Sequence, residues 1–282
     1  MITITHSIIT GIVQGLSEFL PISSSAHIVF ATSIYKIITG TDFTVINAEE
    51  TFFDIMLHFG TLVAVLVYFR KMLWNITAEF FKAIKNKDFS NEYAKLGIYI
   101  LIGTMFTIIL AYPLKDVCEK LVYSPQIVSV LLIGTGIILF LSEYISKNFK
   151  TKTDKMSLKK AIIMGLAQGL AVFPGFSRSG LTIASGLFSG LDRLTATKFS
   201  FLLTVPIILG TSILYPILEI NTTELSTFNW FNICIGTIVS AIVGYLCIKY
   251  FLIFVSKFSL KIFAYYCLVA GITLTIFFNF AI

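Results

Sequence analysis

Arg178 is the residue whose surroundings most narrowly define a chemistry. Ser177 and Ser179 flank it, Gly175 precedes it and Gly180 follows. A guanidinium fork among small hydroxyl residues, in a glycine-rich turn that opens a helix, is suited to a phosphate. The fork grips two oxygens, and hydroxyl and backbone N–H groups complete the cradle. Thr182, one turn further on, offers another hydroxyl. The stretch is not a Walker A loop, which needs GxxxxGK[ST] after a strand. The competing reading is an arginine that snorkels to the membrane interface. It fits badly, because the neighbours are small and the lysine-rich segment ends well before Arg178.

A second cluster lies near the N-terminus. Glu18 is a carboxylate inside an apolar stretch, and Gln14 precedes it by one helical turn, on the same face. Intramembrane carboxylates are costly and mark functional sites. Gln14 and Glu18 together offer oxygens for a hard divalent cation, with water and phosphate completing its shell. The plainer reading pairs Glu18 with Arg178 as a buried structural ion pair. Ser23, Ser24, Ser25 and His27 follow, where a nucleophile or an acid–base group would sit. A lone histidine is more often a satisfied core residue; here the company of three serines and Glu18 favours chemistry. His58 has no such company in the sequence and reads as packing, while His6 is uninformative.

What positions these residues is an internal repeat. Residues 11–25 read GIVQGLSEFLPISSS and residues 165–179 read GLAQGLAVFPGFSRS. Gly11, Gln14, Gly15 and Leu16 recur as Gly165, Gln168, Gly169 and Leu170; Pro21 recurs one residue early as Pro174, and Ser24 then falls on Ser177. A weaker echo sets His58-Phe59-Gly60-Thr61 beside Ile208-Leu209-Gly210-Thr211. Two broken apolar segments in corresponding halves of a membrane protein point to a binding site near the bilayer midplane.

The chain is 56% hydrophobic and only 13% charged, a balance that excludes a soluble domain of this length. The excess of Lys and Arg lies in loops, so it reports orientation and not nucleic-acid binding. The N-terminal stretch does not read as a cleavable leader, since it lacks a basic start and holds Glu18. Cys118, Cys234, Cys247 and Cys267 show no paired spacing and read as small core residues.

Six apolar runs are long enough to span a bilayer: 53–69, 96–112, 126–144, 199–218, 229–250 and 263–281. Trp74 and Trp230 read as interfacial belt residues. Lysine and arginine concentrate in the 70–95, 145–160 and 249–262 connections (the second includes Lys150), which makes these cytoplasmic. The 113–125 connection is balanced, and 219–228 is acidic with Glu219 and Glu224. Both termini then lie outside. The segments 4–35 and 160–192 are too long for one helix and hold Pro, Gly and Ser at their centres. The alternation of basic loops survives only if both are re-entrant hairpins, the first dipping in from outside and the second from the cytoplasm. The expected fold is an all-α polytopic membrane protein with six transmembrane helices plus two re-entrant helical hairpins. Residues 1–145 form one half, residues 160–282 an inverted copy, and the whole chain 1–282 one membrane unit. The hairpin tips should enclose a polar chamber, because polar backbone cannot face lipid.

With both tips read, the chain resembles the undecaprenyl-diphosphatase family, the bacitracin-resistance type of membrane phosphatase. The family motifs are (E/Q)xxxE-F-L-P-x-S-S-x-x-H and P-G-x-S-R-S-G-x-T. They stand here as Gln14 to Glu18 continuing Phe19-Leu20-Pro21-Ile22-Ser23-Ser24-Ser25-Ala26-His27, and as Pro174-Gly175-Phe176-Ser177-Arg178-Ser179-Gly180-Leu181-Thr182. The resemblance implies hydrolysis of a polyprenyl diphosphate to the monophosphate and inorganic phosphate in the plasma membrane, recycling a glycan lipid carrier. It implies a site open to the outer face and a divalent cation, Mg2+ or Ca2+, held by Gln14 and Glu18. The family's essential residues fall on Glu18, Ser24, His27 and Arg178. Ser23, Ser25, Gly175, Ser177, Ser179, Gly180 and Thr182 are then expected to line the substrate. No nucleic-acid partner is expected, and any self-association is expected to be a homodimer. Two positions depart from the family pattern: the first metal position is often Glu, where this chain has the neutral Gln14, and the residue before the histidine is often Gly, where it has Ala26. The nucleophile stays open among His27, Ser24 and water. The alternative function is a carrier for polyprenyl phosphate or another anionic lipid, since broken-helix repeats also build transporters. A carrier needs an anion grip but no serine–histidine tip. A structural scaffold would leave Glu18 and Arg178 unexplained.

Overall fold

The computed structural model describes residues 2–39, 48–149, 152–219 and 225–281. Lys150 and Glu224 of the charge pattern fall outside them. The described chain is helical: α1 (Ile4–Ser17), α2 (Ser24–Thr39), α3 (Ala48–Tyr68), α4 (Arg70–Asn86), α5 (Glu92–Ala111), α6 (Lys115–Leu121), α7 (Pro125–Ser146), α8 (Leu158–Leu170), α9 (Arg178–Phe188), α10 (Arg193–Glu219), α11 (Trp230–Lys257) and α12 (Lys261–Ala281). Among the described residues the only β contact is a bridge between Thr153 and Leu191.

Among the described residues six helices are long and apolar enough to cross a membrane, and they match the six runs read from the sequence to within a residue or so where they fall short. Several begin earlier than the apolar run, because the capping residue is polar and lies outside it. Asn91 accepts the Tyr93 N–H at 2.8 Å to start α5. Asp192 starts α10 by accepting both the N–H and the O–H of Thr195, at 2.9 and 2.7 Å. The 70–95 connection is mostly helix: α3 breaks at Phe69, α4 follows, and Lys87 ends it in the left-handed conformation at φ 54°. Trp74 is 74% exposed and Trp230 46%, as a lipid-interface position requires. All four cysteines are free; Cys118, Cys247 and Cys267 are buried, whereas Cys234 is exposed on α11, so the core reading does not hold there.

The repeated segments are two helix–turn–helix pairs, α1–α2 and α8–α9. With 14 and 13 residues, α1 and α8 rise about 20 Å at ~1.5 Å per residue, well short of a ~30 Å hydrocarbon layer. Each turn carries a proline and one residue at positive φ: Ser23 at 68° in the first and Gly175 at 107° in the second. Ser23 is an unusual occupant of that region, which L-residues other than Asn and Asp seldom enter. Ala26 lies inside α2 and is fully buried, so the missing glycine before His27 imposes no backbone strain.

The short helices are seated by close packing of small residues. On α1, a methyl at Gly11 would meet the Gly236 carbonyl oxygen at 2.7 Å and one at Gly15 the Ser240 carbonyl oxygen at 2.9 Å, so α1 lies directly on α11. On α8, Gly165 lies against the Gly103 backbone and Gly169 against Thr107 and Leu110, so α8 lies on α5. Small residues four apart let two backbones approach, a common solution where lipid supplies no hydrophobic drive. Phe19, fully buried beside Glu18, packs edge-on to Phe201 of α10 with ring centroids 5.1 Å apart. Ala26, Val29 and Phe30 of α2 pack with Val128 and Leu132 of α7 and Cys267 and Phe278 of α12. The tip of the first pair is thus fixed on both sides.

Candidate active site

The two turns meet tip to tip, held by their serines. Ser23 Oγ accepts the Ala26 N–H at 3.3 Å, and Ser177 Oγ accepts the Gly180 N–H at 3.1 Å, the same N-capping bond in each half. Ser23 pairs with Ser25 at 3.2 Å, and Ser177 with Ser179 at 3.2 Å. The structural equivalents are therefore Ser23 and Ser177. This corrects the pairing of Ser24 with Ser177 suggested by the two prolines: the turns keep the spacing of the preceding glycines without a shift. Across the junction Ser23 Oγ donates to the Phe176 carbonyl at 3.3 Å, and Ser179 Oγ to the Leu20 carbonyl at 3.0 Å. Ser25 Oγ accepts the Gly175 N–H at 3.5 Å. From α7, Thr135 Oγ1 accepts the Ser177 N–H at 3.0 Å. Thr182 is turned into the packing, where its hydroxyl pairs with Ser200 at 2.6 Å.

With that registration Ser24 and Arg178 occupy equivalent places, each first in its second helix, and both donate to one carboxylate. Arg178 Nη2 lies 2.6 Å from Glu18 Oε1, and Ser24 Oγ donates to Glu18 Oε2 at 3.2 Å. Gln14 Nε2 donates to the same Oε2 at 3.0 Å. Glu18 is 7% exposed and Gln14 fully buried. The carboxylate can be sequestered because a short charge-assisted bond and two further donors replace its water. Two polar atoms at the cluster are buried without a protein partner: Arg178 Nη1, a donor, and Gln14 Oε1, an acceptor. Buried polar groups are normally satisfied, so an orphan donor and an orphan acceptor together call for a ligand.

His27 is placed differently from the sequence expectation. Its Nδ1 lies 2.7 Å from the Ser23 carbonyl and its Nε2 2.6 Å from the Tyr266 hydroxyl, with the two rings stacked at 5.8 Å. A carbonyl only accepts, so Nδ1 carries a proton and Nε2 is met by the tyrosine. Both ring nitrogens are engaged away from Glu18. His58, read from the sequence as packing, comes instead to the site: its Nε2 is 3.6 Å from Glu18 Oε2. Asp54, one turn earlier on α3, offers its carbonyl to His58 Nδ1 at 2.9 Å. Neither Tyr266 nor His58 belongs to a local motif, so only the packing of α12 and α3 against the tips reveals them.

A second buried ion pair lies outside the site. Arg193 Nε and Nη2 hold Glu143 Oε1 and Oε2 at 2.7 and 2.6 Å, and the Leu260 N–H donates to Oε1 at 3.0 Å. Glu143 is fully buried. It ties the end of α7 to the starts of α10 and α12.

Comparisons with known proteins cover nearly the whole chain. The family described as "Bacitracin resistance protein BacA" matches residues 7–273. A Halothermothrix orenii protein named "Undecaprenyl-diphosphatase" is 39% identical over 269 residues, 95% of this chain and 96% of that protein. One of the same name from Methanosphaera stadtmanae is 40% identical over 282 residues, 96% and 97% of the two chains. A third, from Korarchaeum cryptofilum, is 36% identical over 275 residues, 96% and 98%.

Proposed function

The chain belongs to the BacA family of bacitracin resistance proteins, and from that membership we propose that it is a multi-pass membrane phosphatase that hydrolyses a long-chain polyprenyl diphosphate of the undecaprenyl type. The products are the polyprenyl monophosphate and inorganic phosphate. The observation that carries the reading at the level of chemistry is the Glu18 carboxylate at the junction of the two turns. It is held by Arg178 and Ser24, and an unpaired guanidinium N–H lies beside it.

In this reading the prenyl tail stays in lipid and the diphosphate reaches the junction. Arg178 keeps Nη2 on Glu18 and presents Nη1 to a phosphate oxygen. Phosphoryl transfer has a loose transition state, so positioned charge should dominate catalysis. Of the three nucleophiles, the geometry supports Ser24. Its O–H already points at Glu18, which can take the proton as Oγ bonds to the terminal phosphorus and the bond to the bridging oxygen breaks. Polyprenyl monophosphate leaves and takes that proton from Glu18 onto its freed oxygen. Water, deprotonated by the regenerated carboxylate, then attacks the phosphoserine and releases inorganic phosphate, with the serine oxygen recovering the proton. His27 acts as a positioning residue, fixing the Ser23 carbonyl where the backbone enters its left-handed turn. Ser23, Ser25, Ser177 and Ser179, with Gly175 and Gly180, hold the tips together and so shape the substrate chamber from behind.

The residues present fit a divalent cation. Gln14 and Glu18 are adjacent, Gln14 Oε1 is an orphan acceptor, and the amide oxygen replaces a carboxylate at little geometric cost. A hard cation takes about six or more oxygens, so phosphate and water would supply the rest. When bound, Mg2+ or Ca2+ would neutralise charge on the diphosphate.

The two short helix pairs are read as re-entrant hairpins and the halves 1–145 and 160–282 as an inverted-topology repeat. The matched serine caps support this, as does the crosswise seating of α1 on α11 and α8 on α5, helices in corresponding places of opposite halves. The basic connections support a placement of both termini outside.

The test is phosphate release from a long-chain polyprenyl diphosphate by purified protein, with and without Mg2+ or Ca2+, beside Glu18→Ala, Ser24→Ala, His27→Ala and Arg178→Ala. Cation-dependent release, lost in the Glu18, Ser24 and Arg178 variants and reduced in His27→Ala, is expected. Absence of release with retained binding of the lipid phosphate would point to the carrier instead.

A further inference from the structure

The hydrogen bonds around His58 leave one electrostatic question open. Nδ1 faces the Asp54 carbonyl oxygen at 2.9 Å, and a carbonyl can only accept, so the proton of a neutral ring is fixed on Nδ1. Nε2 is then a bare lone pair. It faces Glu18 Oε2, a carboxylate oxygen, at 3.6 Å. Arg178 does not lie between them, because its guanidinium sits on the other oxygen, Oε1. The fully buried Gln14 side chain adds an acceptor with no donor, Oε1, one helical turn from Glu18. Turning the Gln14 amide over does not remove the difficulty, since it would set an amide oxygen 3.0 Å from Glu18 Oε2. His58 Nε2 and Glu18 Oε2 thus face each other as two electron-pair donors, and Gln14 Oε1 is a third without a partner one helical turn away. The one guanidinium at the site, Arg178, is bound to the other oxygen of Glu18.

We propose that His58 is the third protein ligand of the divalent cation, binding through Nε2 beside Glu18 and Gln14. The inference rests on the phosphatase site proposed above and assigns α3 a role in it. The tie from Nδ1 to the Asp54 carbonyl is the arrangement that orients metal-bound imidazoles and fixes their tautomer. It also bears on which ion is preferred. Carboxylate and carbonyl ligands alone suit Mg2+ and Ca2+, whereas an imidazole favours first-row transition ions. His58 should therefore shift the site toward Mn2+ relative to Ca2+. Asp54 is a positioning residue here through its backbone carbonyl, and its carboxylate, which interacts electrostatically with both His58 and Glu18, adds negative charge beside the same site.

The experiment uses the full chain in detergent, stripped of metal and titrated with Mn2+. Pulsed EPR detects nitrogen bonded to the ion, and the titration gives affinity; neither depends on turnover. The wild-type spectrum should show imidazole nitrogen coupling, retained in His27→Ala and lost in both His58→Ala and His58→Gln. Mn2+ affinity should fall about tenfold or more in His58→Ala. Ca2+ affinity should fall less, and His58→Gln should recover part of the loss through its amide oxygen. Bound Mn2+ without nitrogen coupling in the wild-type protein would overturn the proposal whether or not the variants fold. So would unchanged Mn2+ affinity in His58→Ala, and either result would point to a protonated imidazole paired with Glu18. Both would leave the phosphatase standing if phosphate release still required the ion. Absence of any Mn2+ binding, together with absence of phosphate release, would instead remove the reading on which the proposal rests.

Discussion

Arg178 serves two partners with one planar group, and this defines its most specific test. Nη2 neutralises Glu18 while Nη1 is left for the substrate. A lysine ammonium carries the charge but cannot reach two fixed directions at once. Arg178→Lys should lower kcat/KM by about 100-fold or more, a typical cost of removing one preorganised donor; activity close to wild type would remove the phosphate grip. Tyr266 gives a contrasting prediction. If His27 works through the Ser23 carbonyl, Tyr266→Phe removes only the bond at Nε2 and should leave turnover within about fivefold, the worth of one hydrogen bond of ~1 kcal/mol. A collapse of activity would instead make Nε2 a reacting atom. Glu18, Ser24 and Arg178 were legible in the sequence because each lies in a turn whose spacing is local, and the structure brings them together. His58 and Tyr266 were not, since their meaning depends on which helix faces the tips. The roles of the flanking serines were also hidden, because the same hydroxyls that suit a phosphate suit a helix cap.

Helices long enough to span announce themselves by composition, and all six were legible as apolar runs. The helical nature of 70–86 was not, because an amphipathic helix at an interface carries the same lysines as a loop. What sequence could not show at this scale is how the short helices are held. Gly165 against Gly103 and Gly15 against Ser240 leave no room for a side chain. Gly165→Leu and Gly15→Leu should each destabilise the protein by roughly 3 kcal/mol through overpacking, read as a lower melting temperature in detergent. The Glu143 junction gives the complementary case. Arg193→Leu leaves a fully buried carboxylate without its fork and should cost about 3–5 kcal/mol. Because the pair lies outside the site, the protein that remains folded should keep its kcat; a lower kcat at equal folded fraction would tie Arg193 to catalysis.

Across the whole molecule, the distribution of basic connections predicts which side the substrate is met from. Single cysteines introduced in place of Asn86 and Asn221, in a background lacking the four native cysteines, should react with an impermeant reagent from the cytoplasmic and the outer side respectively. The reverse pattern would turn the molecule over. The contact between Glu18 and Arg178 joins residues 160 positions apart, and this has a consequence for how the protein is made. At roughly 5–20 residues per second, the first turn waits on the order of ten to thirty seconds for its arginine. During that interval the nascent chain holds Glu18 without its guanidinium partner. The opening segment is thus the first to be synthesised and the last to settle. Residues 1–150 expressed alone should be cleared by quality-control proteolysis, and supplying 151–282 as a separate polypeptide should rescue them. Stable accumulation of the lone N-terminal fragment would mean that the early chain finds its place without help from the late one.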